Sequence, residues 1–253
     1  MPTSPDGPPA GDLYRNALAR LATILFFPRQ TFQSIRSHPT IAVPIAAWAL
    51  AGALLNVVST PRIDWDAVIR ANIQSLSLSM PEAEIQRHIA DASRYGIEST
   101  VMSTLISMPL GYLIMGAALW VALGLLGKLT DLKTAVSVMV HSQAPQAAAM
   151  LLSIPVVLRV DKIGPELVRT GSYLPSNLAA VFGTSAGGPL LQTLLTSVDL
   201  FSVWSAILLA FGLVTAMGLR ARQSAQVVVM LWASWVTVKA LLTVLNLLAG
   251  GRA

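Results

Sequence analysis

The chain has 253 residues, 54 % of them hydrophobic and only 11 % charged, with a mean hydropathy of +0.65. Soluble domains average about 25 % charged residues, so this composition argues against water as the sole solvent. There is no cysteine, which excludes disulfides, thiolate nucleophiles and cysteine-based zinc sites; the net charge of +5 is scattered rather than clustered, which argues against nucleic acid and fits the loops of a membrane protein.

Residues 1–11, MPTSPDGPPAG, are rich in Pro, Gly and Ser and read as a disordered tail. They carry no positive charge, and the apolar run Leu21–Phe27 is too short to span a bilayer, so no cleaved signal peptide is expected. Residues 12–40 form an amphipathic segment: Leu13, Ala17, Leu21, Ile24 and Leu25 recur at helical spacing, with Arg15 and Arg20 offset and Asp12 as the N-cap. Such a helix lies in the membrane interface. Residues 41–249 hold five stretches long enough to cross, at about 41–60, 101–127, 134–158, 198–218 and 226–249; a crossing needs about 20 predominantly apolar residues.

The links differ. Those at 128–133 and 219–225 are short and basic, whereas 61–100 and 159–197 each run to about forty residues. The first long link predicts two helices over the outer surface. One is marked by Trp65, Val68, Ile69, Ile73 and Leu76. The other has Ser79 and Glu82 at capping-box spacing, with Pro81 in its first turn. The second long link predicts a short interfacial helix in GPLLQTLLTSVDLF, ahead of the fourth span. No strand pattern is visible, so the fold class is an all-α polytopic membrane bundle with interfacial amphipathic helices. The face holding the N-terminal segment and the short links has eight Lys/Arg in 53 residues; the other has eight in 83. The positive-inside rule then places the N-terminus in the cytoplasm and, with five spans, the C-terminus opposite.

Three motifs resemble the bacterial branch of the Yip1-domain membrane proteins. They are PRQTFQSIRSHP before the first span (Pro28, Phe32, Ile35, Arg36, Pro39), AVSVMVHSQAP in the third (Ser142, Pro145) and VDLFSVWSAILLAFGL in the fourth (Asp199, Leu200, Phe201, Trp204, Gly212). The resemblance covers roughly 20–249. It implies a five-span α-helical fold with a cytoplasmic N-terminus, and little about activity. The DLYGP motif of the eukaryotic relatives is missing, since Asp12–Arg15 read DLYR, and the Rab GTPase contacts of those relatives do not carry over.

Four polar residues fall inside spans: Asn56, His141, Asp199 and Lys239. Ionisable groups at bilayer depth are costly and are functional candidates by default. At about 1.5 Å of rise per residue, Asp199 lies perhaps ~9 Å above Lys239, so a pair between them, direct or through one water, is feasible. The cluster reads either as a relay or ion path, or as an interhelical clamp. Prolines at 44, 109, 145 and 155 (Pro44, Pro109, Pro145, Pro155) read as helix kinks. His141 stands four residues before Pro145, where the proline leaves a carbonyl unpaired, so the ring is expected to seal that kink.

Other motifs fail on chemistry. GTSAG at 183–187 matches a serine-hydrolase elbow, but no histidine follows Ser185. GKLT at 127–130 lacks the P-loop's upstream glycine, where Ala122 stands, and the Ser/Thr immediately after the lysine. The three histidines, His38, His88 and His141, are too dispersed for a metal site, and no cofactor is expected. Trp204 and Trp232 are placed for a headgroup belt. The expected function is therefore a non-enzymatic protein of the bacterial inner membrane, a scaffold organising lipids and a membrane-protein partner or further copies of itself. The alternatives are a small transporter or channel using the polar cluster, or an accessory subunit of a larger membrane complex.

Overall fold

A computed structural model describes residues 10–76, 78–128, 130–171, 173–182 and 188–250, except the side chains of 10–16, 189 and 246–250. Asp12 and Leu13 as side chains, most of the tail, and the GTSAG stretch lie outside the described residues. Among those residues there is no strand, only two isolated bridges, Ile63 with Ile163 and Asn177 with Asp199.

The N-terminal segment forms two helices rather than one. Helix α1 (Ala10–Thr23) begins two residues ahead of Asp12 and buries Ala17 and Arg20. Pro28 occupies the first turn of α2 (Pro28–Ser37), where its missing N–H costs nothing, and α2 buries Thr31, Phe32 and Ile35 along one stripe. The expected first span is α3 (Ala42–Ser59), followed by a 3-10 turn at Thr60–Arg62. Asp64 caps α4 (Trp65–Ser75) by accepting the Ala67 N–H at 3.2 Å.

Two expected elements are fused. The second outer helix and the second span form one 44-residue helix, α5 (Glu82–Leu125), roughly 66 Å long at 1.5 Å per residue. Ser79 therefore lies outside the helix and forms no capping box. The third expected span is instead divided. Helix α6 (Leu132–Ser142), capped by Asp131, ends at Gln143, and α7 (Ala144–Val157) follows. The break has a simple cause: Pro145 has no N–H to bond back to the His141 carbonyl. Three short helices come next, α8 (Pro165–Thr170), α9 (Leu178–Phe182) and α10 (Gly188–Thr196). The expected interfacial helix is α10, which feeds α11 (Leu200–Met217); α12 (Ala221–Gly250) completes the chain.

Among the described residues, four helices are long and apolar enough to cross a membrane: α3 with its 3-10 turn, α5, α11 and α12. Helices α6 and α7, of 11 and 14 residues, are each too short to be counted. Of the prolines expected to kink helices, Pro109 lies well inside α5 and Pro155 two residues before the end of α7. Pro44 does not kink α3, and Pro145 marks a break between two helices rather than a bend within one. Both prolines fall in the first turns of α3 and α7, where N–H groups have no helical partner to lose.

The chain divides into two compact units. The first comprises Met1–Trp48, Met108–Pro145 and Ser205–Val228; the second comprises Ala49–Ser107, Gln146–Trp204 and Val229–Ala253. The N-terminal segment and both short basic links belong to the first, and both forty-residue links to the second. The core of the first unit is built on α6, in which every residue from Ala135 to Ser142 is buried. Two glycines let neighbours approach. A Cβ at Gly116 of α5 would stand 2.8 Å from the Val136 Cα, and one at Gly212 of α11 would stand 2.6 Å from Val138 and 2.8 Å from Phe32. In the second unit, α4 packs against α8, and the Asp64 N–H to Ile163 carbonyl bond (3.0 Å) joins the two long links.

Candidate functional site

The polar residues of the first unit meet at the loop 38–41 that leads into α3. Ser137 stands one turn before His141 on α6. Its hydroxyl donates to the Thr40 carbonyl at 2.9 Å and accepts the Thr40 N–H at 3.2 Å. Arg20 reaches the same loop from α1, donating from Nη1 to the His38 carbonyl at 2.7 Å. Burial pulls Arg20 below its ordinary value. The His141 ring is fully buried; Nδ1 meets the Ser137 carbonyl at 2.8 Å, and Nε2 has no partner among the described residues. The ring thus bonds back along its own helix. It does not seal the carbonyl left by Pro145, which corrects the expected role. Arg20 Nε and Thr40 Oγ1 are likewise buried and without partners. Trp48 completes the group, its indole donating to the Val140 carbonyl at 3.0 Å and joining α3 to α6.

The other three candidate polar residues belong to the second unit. Asn56 donates to the Thr104 hydroxyl at 2.6 Å, a side-chain link between α3 and α5. Asp199 caps α11, accepting the N–H groups of Phe201 and Ser202 at 2.9 and 3.0 Å and the Ser202 hydroxyl. Ser202 in turn accepts from Gln146 of α7 at 3.0 Å. Lys239 lies 5.4 Å from the centroid of Trp235, within cation–π range. The expected Asp199–Lys239 ion pair is not formed among the described residues: Asp199 acts on Lys239 through space, but its oxygens cap α11. Ion pairs in this unit lie in the links instead. Arg70 bridges Asp66 (2.9 Å) and Glu82 (2.6 Å), and Lys162 meets Asp64 at 3.2 Å. The Ala67 N–H and Lys162 hold Asp64 below the usual carboxylate range.

So the structure gathers Asp199 with Ser202 and Gln146, Asn56 with Thr104, and His141 with Ser137. It forms no single cluster of the four. The partners Ser137, Thr40, Arg20, Thr104, Ser202 and Gln146 were not singled out from sequence. Only Ser137, at i−4 from His141, carried a local signal. The family-motif residues serve packing and caps. Phe32 is fully buried, Phe201 is buried, Trp204 is half-buried, Pro39 lies in the 38–41 loop, and Ser142 donates to the Met139 carbonyl at 2.6 Å. Among the described residues no three His, Cys, Asp or Glu side chains group as metal ligands.

The first unit also has a cleft of about 390 Å³. It is lined by Arg36 of α2, Leu123 near the end of α5, Lys128, Thr130 and Asp131 of the following link, Thr134 of α6, and Ala216 and Leu219 around the end of α11.

The Yip1 domain matches residues 22–243 of the chain. No curated protein and no solved structure matches. The match covers most of the chain, which therefore belongs to the Yip1 family and is an integral membrane protein of that type.

Proposed function

We propose that this Yip1-family member is a non-enzymatic, five-span protein of the bacterial cytoplasmic membrane. Its N-terminus is cytoplasmic and its C-terminus opposite, and it organises lipids and a membrane-protein partner or further copies of itself. Support for five crossings comes from the chain's path. It passes between the two units five times, within α3, α5, α7, α11 and α12. Support for a binding rather than catalytic role comes from the way the intramembrane polar groups are engaged. Asn56 and Asp199 hold neighbouring helices or cap their own, and His141 bonds its own helix.

The observation that carries the reading is the surface of α12. Only 11 % of its most apolar window is buried within the chain, against 44 % for α3. Ala233 and Thr237 are exposed on it at i, i+4 spacing, the small-residue arrangement that lets a second helix approach closely in lipid. Because the chain has no cysteine, single cysteines can be introduced one at a time. Cysteine at Ala233 or Thr237 is expected to cross-link in native membranes to one defined protein, a partner or another copy, the two being distinguished by mass. Cysteine at Leu242, on the opposite side of α12, is expected not to. Equal cross-linking at all three positions, or none, contradicts the reading.

A further inference from the structure

The net charge is not shared between the units. Over the residues of the first unit the sequence has eight Lys/Arg against three Asp/Glu, a surplus of five; over the second it has nine of each. The whole surplus therefore belongs to the unit that contains the cleft. Two of those cations, Arg36 and Lys128, line it, and neither joins an ion pair among the described residues. The acid beside them, Asp131, is turned to its own helix, accepting the Thr134 N–H at 3.1 Å and the Thr134 hydroxyl at 3.3 Å. Leu123, Ala216 and Leu219 also border the cleft but are themselves buried, so its exposed lining is mainly polar. Trp120 flanks the cleft, its indole donating to the Thr130 carbonyl at 2.9 Å.

We propose that this cleft binds a phosphate-bearing anion, presented as the headgroup of an anionic phospholipid. Two unpaired cations and the Thr130 hydroxyl suit a phosphodiester. The cleft lies at the ends of α5 and α11, two helices of membrane-crossing length, which is where a phosphodiester is presented by lipid headgroups. A cleft of about 390 Å³ is also larger than a lone phosphate requires. The site joins the end of α2, the α5–α6 link and the end of α11, so an occupant would tie three segments of the first unit together.

The test uses the full chain in nanodiscs of mixed phosphatidylglycerol and phosphatidylcholine, released for native mass spectrometry. The wild type is expected to retain phosphatidylglycerol in preference to phosphatidylcholine. Arg36→Gln with Lys128→Gln should lower that preference about twentyfold, roughly fivefold per cation, which is the worth of one basic residue at an anionic surface. Arg220→Gln with Arg222→Gln removes the same charge outside the cleft lining and should change it less than threefold. An equal loss in both double variants reduces the effect to general attraction and overturns the proposal, as does unchanged retention in the first. Inorganic phosphate binding to the detergent-solubilised chain, without selective retention of phosphatidylglycerol, overturns the lipid as its source. Circular dichroism of each variant distinguishes lost binding from lost fold, and Arg36→Lys with Lys128→Arg, which keeps both charges, should restore retention.

Discussion

Replacing Gly116 by alanine tests whether α5 and α6 touch backbone to backbone. A methyl there would stand 2.7 Å from Val136 Cγ2 and 2.8 Å from Val136 Cα. Ordinary carbon–carbon contact is about 3.5–4.0 Å, so the two helices must part by roughly 1 Å. The Cγ2 methyl can rotate aside, but the Cα cannot. Overpacking of this kind costs about 1–3 kcal/mol, while glycine to alanine inside a helix returns about 0.5–1 kcal/mol. The net expectation is a loss of about 1–2 kcal/mol. Gly111 is the internal control: it lies on the same helix, and a Cβ there would meet nothing within 4 Å, so Gly111→Ala should be neutral or stabilising. Denaturant titration of both variants in mixed micelles, followed by helix content, compares them directly. Val136→Ala should relieve Gly116→Ala only in part, because the clash with the Cα persists. If Gly116→Ala proves as stable as Gly111→Ala, the close approach of α5 to α6 is wrong.

Asn56→Leu should lose the bond to Thr104 (2.6 Å) and destabilise the second unit by about 0.6–1.7 kcal/mol in the same titration; a neutral result would mean that bond contributes nothing. His141→Leu should cost at most about 1 kcal/mol, because the lost Nδ1 bond to the Ser137 carbonyl is offset by removal of a buried Nε2 with no partner among the described residues. A loss above about 2 kcal/mol would show that Nε2 has a partner in the membrane. Lys239→Met should leave proteoliposome ion flux at the same background as the wild type, whereas flux abolished by this change would favour the transporter alternative. Asp64 titrates below the usual carboxylate range because of the Ala67 N–H and Lys162. Its stabilisation of the long links is therefore complete above its unfolded value near ~4 and lost as pH falls through the lower folded value. Fluorescence of Trp65 between pH 7 and 2 should show that acid transition, and Asp64→Asn should abolish it.

Residues whose role is local were legible in the sequence. Phe32 and Ile35 lie three apart on the stripe that α2 buries, and Asp199 stands where a cap for α11 is needed. The fusion of α5 was not legible, because its charged half up to Gly96 and its apolar half after it read as a surface helix and a separate span. In the structure that glycine is a contact: a Cβ there would stand 2.9 Å from the Trp65 ring, so its small size serves packing of α4 while the helix continues. The break between α6 and α7 was half legible. Pro145 signals a disturbance, but whether a helix bends or stops depends on what the flanking segments pack against. Least visible was the pairing of Ser137 with Thr40, 97 residues apart, since long-range partners leave no periodic trace. The same holds for the cleft, whose cations Arg36 and Lys128 come from α2 and from the link between α5 and α6.

The central claim is that α6 and α7 together carry the chain across the membrane, although neither helix is long enough alone. Single cysteines at Lys128, before α6, and Lys162, after α7, can be labelled in sealed inside-out and right-side-out vesicles with an impermeant maleimide. The account predicts that position 128 is labelled only from the cytoplasmic side and position 162 only from the opposite side. Labelling of both positions from the same side would contradict it.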